Sequence, residues 1–234
     1  MPTSPPFETL PNPLAGEVLR QKQIRANPNV PAVNRDKRGV RDAVVYLRGV
    51  AADRARPWDL PPVRVEQRGC QFHILKGAVD SRVGFVHRGD SIEMVSRDRF
   101  FHSLHADGAS FFTYTFPDAD DPLARSLDQE GLVELTSAAG YYWMRAYLFV
   151  AEQPYYARTD AQGRFELPQV PPGSYEVVCW LPNWRKARHE RDPESTFITR
   201  WFFRPPVEVI QPLTVSPRQS PEVHFELDSE AFAR

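Results

Sequence analysis

The chain has 234 residues, of which 25% are charged, and its formal net charge is -1 at pH 7, which argues against a nucleic-acid-binding protein. Hydrophobic residues make up 41% of the chain, enough for a sizeable core. No apolar run reaches the roughly 18 residues that a membrane-spanning helix needs. The 23 prolines and the 12% aromatic content favour short strands and many turns over long helices.

Residues 1–38 are predicted to form an extended arm, because seven of the prolines fall here and proline fixes φ and removes a backbone donor. One stretch inside the arm, LAGEVLRQKQIRA at 14–26, has a helical pattern. The first residues lack the basic and apolar regions of a secretory signal. We therefore expect either a cytoplasmic protein or one whose export signal lies outside this chain.

From residue 41 onward, short aromatic and β-branched runs are bounded by glycine, proline and aspartate. This spacing predicts an all-β protein made of β-sandwich or barrel units. The predicted strands lie within 41–50, 63–74, 82–98, 110–117, 131–136, 141–150, 155–167, 173–181, 200–210 and 221–227. A short helix is predicted at 121–130, with Asp121 as its N-cap and Pro122 in its first turn.

Two connections are predicted to be turns from their residue types. In TDAQGRF, Asp160 and Gly163 have the character of turn residues, so Asp160 is interpreted as a turn former and not as an acid catalyst. In VPPGSYEV, Pro172 presets the first turn position and Gly173 is expected to adopt a positive φ.

The two cysteines, Cys70 and Cys179, are too few for a disulfide framework or a cysteine zinc site. We interpret them as buried small apolar residues. Cys70 is placed on an early strand, with its thiol towards the core. A single disulfide between the two remains an alternative.

The stretch YYARTDAQGRFELPQVPPGSYEVVCW at 155–180 resembles the carboxypeptidase regulatory-like domain, a transthyretin-like β-sandwich, and KRGVRDAVVYLRG at 37–49 is similar to an earlier strand of it. The segments GCQF, HRGDSIEMVSRD, FFHSLHADGASFFTYTFP and YYWMRAY between them resemble a cupredoxin. The combination is similar to bacterial methylamine-utilisation and plastocyanin-like proteins. The resemblance implies a split regulatory-like sandwich at 39–62 and 153–228, with a cupredoxin-like Greek-key domain at 63–152 inserted into it.

Cupredoxins hold copper with two histidines, one cysteine and a weak axial methionine. The resemblance places the first histidine at His102 and the methionine at Met144, whereas Ala138 and Tyr141 occupy the cysteine and second-histidine positions. It therefore implies a degenerate copper site that binds no metal or other cofactor, with His102 and Met144 as vestigial copper positions.

Large aromatic side chains are expected to fill the former metal pocket, since buried rings supply a large packing area; these are Tyr141, Tyr142 and Trp143. A different metal held by His102 and His105, with His73 as a third ligand, stays open. The sequence contains no GxSxG, HExxH, P-loop or GxGxxG motif, and we predict that the protein is not an enzyme.

Residues 179–206 interleave tryptophan and phenylalanine with arginine and lysine. Trp and Arg are enriched at interface hot spots, so we predict a partner-binding surface made of Trp184, Arg185, Arg188, Arg200, Trp201 and Phe202. The alternative is a long hairpin whose rings cap its own sandwich beneath the arginine stems.

The resulting hypothesis is a non-enzymatic accessory subunit that docks on protein subunits of a membrane-bound electron-transfer complex, respiratory or photosynthetic, on its periplasmic side. The host follows from the resemblance, because two-module proteins of this kind are linked with c-type cytochromes. The alternatives are a metal-binding electron carrier with a remodelled site and a β-sandwich that binds glycans or peptides beside an exposed Trp184 or Trp201. A cytoplasmic location is the alternative to the periplasm.

Overall fold

The structure, a computed structural model, describes residues 7–9, 23–34, 36, 38–77, 79–191, 193–194 and 198–233. These residues form twenty strands and two 3-10 turns at Ala52–Arg54 and Ser229–Ala233, and they contain no α-helix. The predicted all-β class is therefore confirmed. No helix in this part of the chain has the length and hydropathy to cross a membrane.

The strands, in chain order, are β1 Phe7–Thr9, β2 Gln23–Arg25, β3 Ala32–Val33, β4 Val40–Arg41, β5 Val44–Arg48, β6 Val63–Arg68, β7 Gln71–Lys76, β8 Val79–Ser81, β9 Val83–His87, β10 Ser91–Ser96, β11 His102–Gly108, β12 Phe112–Phe116, β13 Leu123–Ser126, β14 Gly131–Ser137, β15 Arg145–Ala151, β16 Tyr156–Arg158, β17 Gly173–Leu181, β18 Lys186–Arg191, β19 Ile198–Phe203 and β20 Val207–Val215.

Strands β6 to β15 form two five-stranded sheets. The first sheet has the order β13-β10-β6-β7-β8 and the second has the order β12-β11-β14-β15-β9. Each contains one parallel pair, β6 with β10 and β9 with β15, among antiparallel neighbours. Apolar side chains from both sheets meet in one cluster, here called the first core, whose fully buried members include Val65, Ile74, Leu104, Leu135 and Leu148. Alternation along the strands sends these residues inward.

A third sheet has the order β16-β5-β17-β20 and takes strands from both flanks of residues 63–152. One of its faces packs in a second core, which contains Val45, Leu47, Val177 and Cys179. Phe165 and Phe225 lie against this core with their ring centroids 6.2 Å apart. Both residues lie in irregular chain. Of the strand predicted at 155–167 only β16 is present, and the described residues at 221–227 form no strand.

The opposite face of the third sheet packs against the outer face of the second sheet. Because side chains alternate along a strand, Tyr46 and Trp180 point towards the second sheet. The Trp180 ring centroid lies 5.1 Å from that of Tyr147 and 5.0 Å from that of Phe149. The resulting third core joins the third sheet to the sandwich of the first two sheets. Its buried side chains, which come from both, are Val44, Tyr46, Val83, Phe85, Tyr147, Phe149, Val178 and Trp180.

Two local predictions are wrong. Residues 123–126 form strand β13 instead of a helix, because their backbone pairs with β10 from Ser91 to Met94 and Leu123 packs on the first core. Gly173 begins β17 without a positive φ. A Cβ atom there would come within 2.6 Å of the Tyr175 hydroxyl oxygen, so a larger residue would displace the Tyr175 ring. The turn at Asp160 is as predicted, since its Oδ1 accepts hydrogen bonds from the N–H groups of Gln162 and Arg164.

The described part of the arm lies on its own chain. Strand β1 pairs with β2, and β3 pairs with β4. The amide groups of Asn27 and Asn29 donate to the carbonyl oxygens of Trp184 and Asn183. The helix predicted at 14–26 falls mostly outside the described residues, and Gln23–Arg25 at its end is strand β2.

We predict that Trp180→Ala destabilises the whole protein by about 3–5 kcal/mol, because it leaves a large cavity in the third core. Urea unfolding followed by far-ultraviolet circular dichroism and tryptophan fluorescence would measure the effect, with coincident transitions expected because the modules share this core. The control is Ile210→Ala on β20, whose side chain is 46% exposed. Two separated transitions in the wild-type protein would contradict the prediction.

Candidate functional site

A tight turn places Cys70 at the end of the first sandwich module. Strands β6 and β7 are joined by Gly69 and Cys70 alone, with φ values of +60° and +56°. Two consecutive positive φ angles define a type I′ turn, which suits the twist of a hairpin. Glycine adopts this conformation freely, whereas cysteine is strained in it. Cys70 is fully buried in the first core, so it lies in a turn and not on a strand as expected, although its predicted burial is correct.

The carboxylate of Asp98 holds this turn from the connection between β10 and β11. Its Oδ1 accepts the N–H of Gly69 at 2.8 Å and its Oδ2 accepts the N–H of Cys70 at 3.1 Å. On the other side, the indole Nε1 of Trp143 donates to the Cys70 carbonyl oxygen at 2.9 Å. The two N–H groups of this turn and the Cys70 carbonyl oxygen thus have hydrogen-bond partners on two side chains from distant parts of the sequence.

His102, the first residue of β11, lies against the same carboxylate. Its Nε2 is 2.8 Å from Asp98 Oδ2, and its side chain is 0% exposed. A carboxylate accepts hydrogen bonds, so Nε2 carries the proton and a neutral ring has its lone pair on Nδ1. Burial lowers the pKa of His102 and outweighs the raising effect of Asp98. Nδ1 is buried and has no hydrogen-bond partner among the described residues.

Aromatic rings enclose this histidine. The Tyr141 ring centroid lies 4.9 Å from the His102 ring, and Trp143 lies 5.7 Å from Tyr141. Tyr142 is 5.4 Å from Trp143 and Met144 is buried in the same core. The structure therefore places the three aromatic residues that were predicted to fill a former metal pocket inside the first core, with Tyr141 directly beside His102.

The structure also assembles three metal-ligand side chains that sequence reasoning did not group. The Cys70 thiol sulfur, an Asp98 carboxylate oxygen and a His102 ring nitrogen all lie within 4.8 Å of one another; we call them the Cys70–Asp98–His102 cluster. It is the only group of three such residues found in the described part of the chain. The two-residue GC hairpin turn is a signal that could have located Cys70, but nothing in the sequence points to Asp98.

The three histidines considered as an alternative metal site do not converge. His105 Nδ1 lies 2.9 Å from Thr113 Oγ1 on the neighbouring strand. His73 Nδ1 lies 2.9 Å from Asp80 Oδ2 in the first sheet. His105 and His73 therefore each have a hydrogen-bond partner outside the Cys70–Asp98–His102 cluster.

The two cysteines are both free and buried, so they do not form the disulfide left open above. Burial raises the pKa of each thiol to about 11, and the charge of Asp98 adds to the effect at Cys70. Cys179 lies in the second core, where it is surrounded by apolar side chains.

Strands β18 and β19 pair with each other as a two-stranded ribbon, here called the basic ribbon. Its inner face lies on the first sandwich module, where Trp201 and Phe203 pack against the first core. The guanidinium of Arg145 lies 4.5 Å from the Phe203 ring centroid and donates a hydrogen bond to the Trp201 carbonyl oxygen. Trp184, at the base of the ribbon, packs against the second core and has Arg185 stacked 5.0 Å above it.

One face of the basic ribbon carries Arg188, Glu190, Arg200 and Phe202, and we call it the outer face. The guanidinium groups of its two arginines lie near the Phe202 ring. The guanidinium carbons of Arg188 and Arg200 lie 3.5 Å and 4.6 Å from the Phe202 ring centroid. Arg188 pairs with Glu190 at 3.0 Å, and Arg200 lies 3.7 Å from Asp107. Of the six residues predicted to bind a partner, Arg188, Arg200 and Phe202 form a stack on this face, the arginine stack. Arg188 is exposed, whereas Arg200, Phe202 and both tryptophans are half-buried.

A cleft of about 250 Å³ lies beside the ribbon. Its walls include Glu134, Arg145 and Arg204 together with Arg200 and Phe202, so the arginine stack borders this cleft. Neither Trp184 nor Trp201 lines it, so the cleft does not offer the exposed tryptophan platform that the glycan-binding alternative requires.

No protein-family model and no curated protein matches the chain. Among solved structures, it is similar to a copper-containing nitrite reductase from Thermus scotoductus SA-01, with 17% identity over 45% of this chain and a TM-score of 0.33. The chain spans 25% of that reductase. It is also similar to a single-residue mutant of amicyanin in its reduced state, with 12% identity and a TM-score of 0.31. That match covers 46% of this chain and 98% of the amicyanin chain.

A third similar structure is the purple cupredoxin from Nitrosopumilus maritimus, with 11% identity over 39% of this chain and 99% of the other, and a TM-score of 0.30. Each of these three similarities covers less than half of this chain.

We predict that the buried His102 makes the protein less stable in mild acid. Because its folded-state pKa lies below the unfolded value of 6.5, the unfolded chain binds the proton more readily and the free energy of unfolding falls as pH drops below that value. The contribution cannot exceed about 1.4 kcal/mol per pH unit. His102→Gln keeps a donor for Asp98 but does not titrate, so this part of the pH dependence should disappear.

Urea unfolding of both proteins at pH 7.5 and 5.5 measures the difference. His224→Gln, at an exposed position, serves as the matched control and should behave as the wild type. An identical loss of stability in the His102→Gln variant would show that another group causes it.

Proposed function

We propose that this chain is a non-enzymatic docking subunit, which uses the outer face of the basic ribbon to bind an acidic surface on a protein subunit of a membrane-bound electron-transfer complex. The observation that carries the proposal is the stack of Arg188, Phe202 and Arg200 on that face. An aromatic ring between two arginines combines the residue types that dominate binding energy at protein interfaces.

Charge supports an acidic partner. Residues 184–204 contain six Lys and Arg against three Asp and Glu, although the whole chain has a net charge of -1. Positive charge is therefore concentrated in the ribbon. Arg188 and Arg200 each lie near one carboxylate of this chain, and a guanidinium group has five N–H donors, so both can still donate to the carboxylates of a partner.

The ribbon is also well anchored for this purpose. Arg145, which is 4% exposed, holds its inner face by contacting Trp201 and Phe203. Asn27 and Asn29 fasten the arm to residues 183–184, directly before β18. A surface that is already ordered loses less entropy when it binds, and a partner on the ribbon would meet the arm beside it.

The nature of the host follows from the resemblance described above. We propose that the host is a respiratory or photosynthetic complex with c-type cytochromes and that the chain lies on its periplasmic side. We further propose that the chain consists of a regulatory-like sandwich at 39–62 and 153–228 and a cupredoxin-like domain at 63–152. In this proposal the cupredoxin-like domain has lost type 1 copper binding. The packing of Tyr141 against His102, where the resemblance expects a second histidine ligand, supports the last point.

We predict that the double variant Arg188→Ala/Phe202→Ala detaches the protein from its host. Interface hot spots of this kind contribute about 2–4 kcal/mol each, so the loss should exceed a hundredfold in affinity. Mildly solubilised membranes would be separated on a density gradient, and the tagged protein would be located relative to the haem-containing or pigment-containing fractions. The wild type should co-migrate with such a fraction, and increasing salt should weaken the association.

The matched control is Phe111→Ala/Arg125→Ala, which removes the same two residue types from exposed positions on the first module. It should co-migrate like the wild type. Free monomeric wild-type protein in every fraction, or equal co-migration of the ribbon variant, would refute the docking proposal.

A further inference from the structure

The Cys70–Asp98–His102 cluster brings a thiol, a carboxylate and an imidazole together inside the first core. Their ligand atoms lie within 4.8 Å of one another. In a tetrahedral zinc site with bonds of 2.0–2.3 Å, ligand atoms are about 3.5 Å apart. The three atoms would therefore have to approach by little more than about 1 Å, which small side-chain rotations can supply.

The contact between Asp98 and His102 already has nearly the geometry of two ligands on one ion. Asp98 Oδ2 lies 2.8 Å from His102 Nε2, about 0.5 Å less than the separation of two such ligand atoms on one zinc ion. An ion between these two atoms would take the place of the shared proton. Nε2 would then donate its lone pair to the ion, and the ring proton would move to Nδ1.

The charges of the cluster suit a divalent cation. A thiolate at Cys70 and a carboxylate at Asp98 would neutralise two positive charges, and a neutral His102 adds none. A site with no net charge avoids most of the cost of burying ions. The other ionisable groups nearest the cluster are the Tyr141 phenol, which burial keeps neutral by raising its pKa, and Arg25, whose guanidinium lies 5.4 Å from the Trp143 ring centroid.

The residue types favour zinc. Cys, His and Asp are all zinc ligands, whereas a thiolate disfavours Mg²⁺ and Ca²⁺ and a hard carboxylate disfavours Cu(I). Asp98 can contribute one oxygen to an ion and keep the other on the N–H of Gly69, so the hairpin turn need not open.

We propose that Cys70, Asp98 and His102 form a mononuclear binding site for Zn²⁺. The ion forms coordinate bonds to the Cys70 sulfur, to Asp98 Oδ2 and to His102 Nε2, and the proton of Nε2 moves to Nδ1. The Cys70 thiol proton is released to solvent, and no electron is transferred. This ligand set has one imidazole, and its sulfur comes from the β6–β7 turn, so it differs from the type 1 copper arrangement. The site is independent of the basic ribbon and of the docking proposal.

The full chain, stripped with a chelator, would be titrated with Zn²⁺ in competition with a chromophoric indicator. One equivalent should bind and release protons, including one from the thiol. Co²⁺ used in place of Zn²⁺ should give the near-ultraviolet charge-transfer band of a cobalt–thiolate bond. Cys70→Ser and His102→Gln should each weaken Zn²⁺ binding at least tenfold. Cys179→Ser, which alters the other buried thiol, and His73→Gln should bind as the wild type does.

Three results would overturn the proposal. They are failure of the wild type to compete with the indicator, a Co²⁺ complex without the thiolate band, and unchanged binding in both cluster variants. The first two need no substitution, so they decide the question even where Cys70→Ser or His102→Gln fails to fold. Binding that depends on His73 and persists without Cys70 would assign the ion to the surface pair of His73 and Asp80 instead.

Discussion

The burial of strand β15 on both of its faces is the constraint on which the rest of the structure depends. All seven of its residues are buried. Ala146, Leu148 and Val150 face the first core, while Tyr147 and Phe149 face the third core. Because a strand alternates its side chains, one short segment fills two cores at once. The second sheet therefore lies inside the molecule. Separating it from the third sheet would expose the large aromatic rings of the third core to water.

The sequence predicts this strand well but not its position between two cores. The run YYWMRAYLFV has the continuous hydrophobicity of a strand with two buried faces, and only Arg145 interrupts it. That arginine is tolerated because Glu134 and the Trp201 carbonyl oxygen accept its hydrogen bonds. A neighbour that lies 56 residues away in sequence cannot be inferred from local pattern, so the buried arginine could not have been foreseen.

Local pattern failed where long-range pairing decided the conformation. The stretch 121–130 has a good helical N-terminus, yet the free edge of β10 draws Leu123–Ser126 into the first sheet. The candidate metal cluster was missed for a related reason. Its members come from a hairpin turn, a loop and the start of a strand, and they meet only because Asp98 caps the turn at Gly69 and Cys70. His102 was identified through a family resemblance, which supplied its neighbour Tyr141 but neither Cys70 nor Asp98.

The segment YYWMRAY at 141–147, which includes the start of β15, contacts all the features proposed to have a function. Trp143 binds the Cys70 carbonyl oxygen at the metal-ligand cluster, Arg145 holds the inner face of the basic ribbon, and the Tyr147 hydroxyl donates to Asn29 in the arm. Each of these side chains reaches a different element, which explains why so short a segment needs so many large residues. A displacement of this segment would alter the turn at Cys70, the ribbon and the arm together, because close-packed interiors transmit strain. The aromatic content of YYWMRAY is therefore better explained by these three contacts than by the filling of an empty pocket alone.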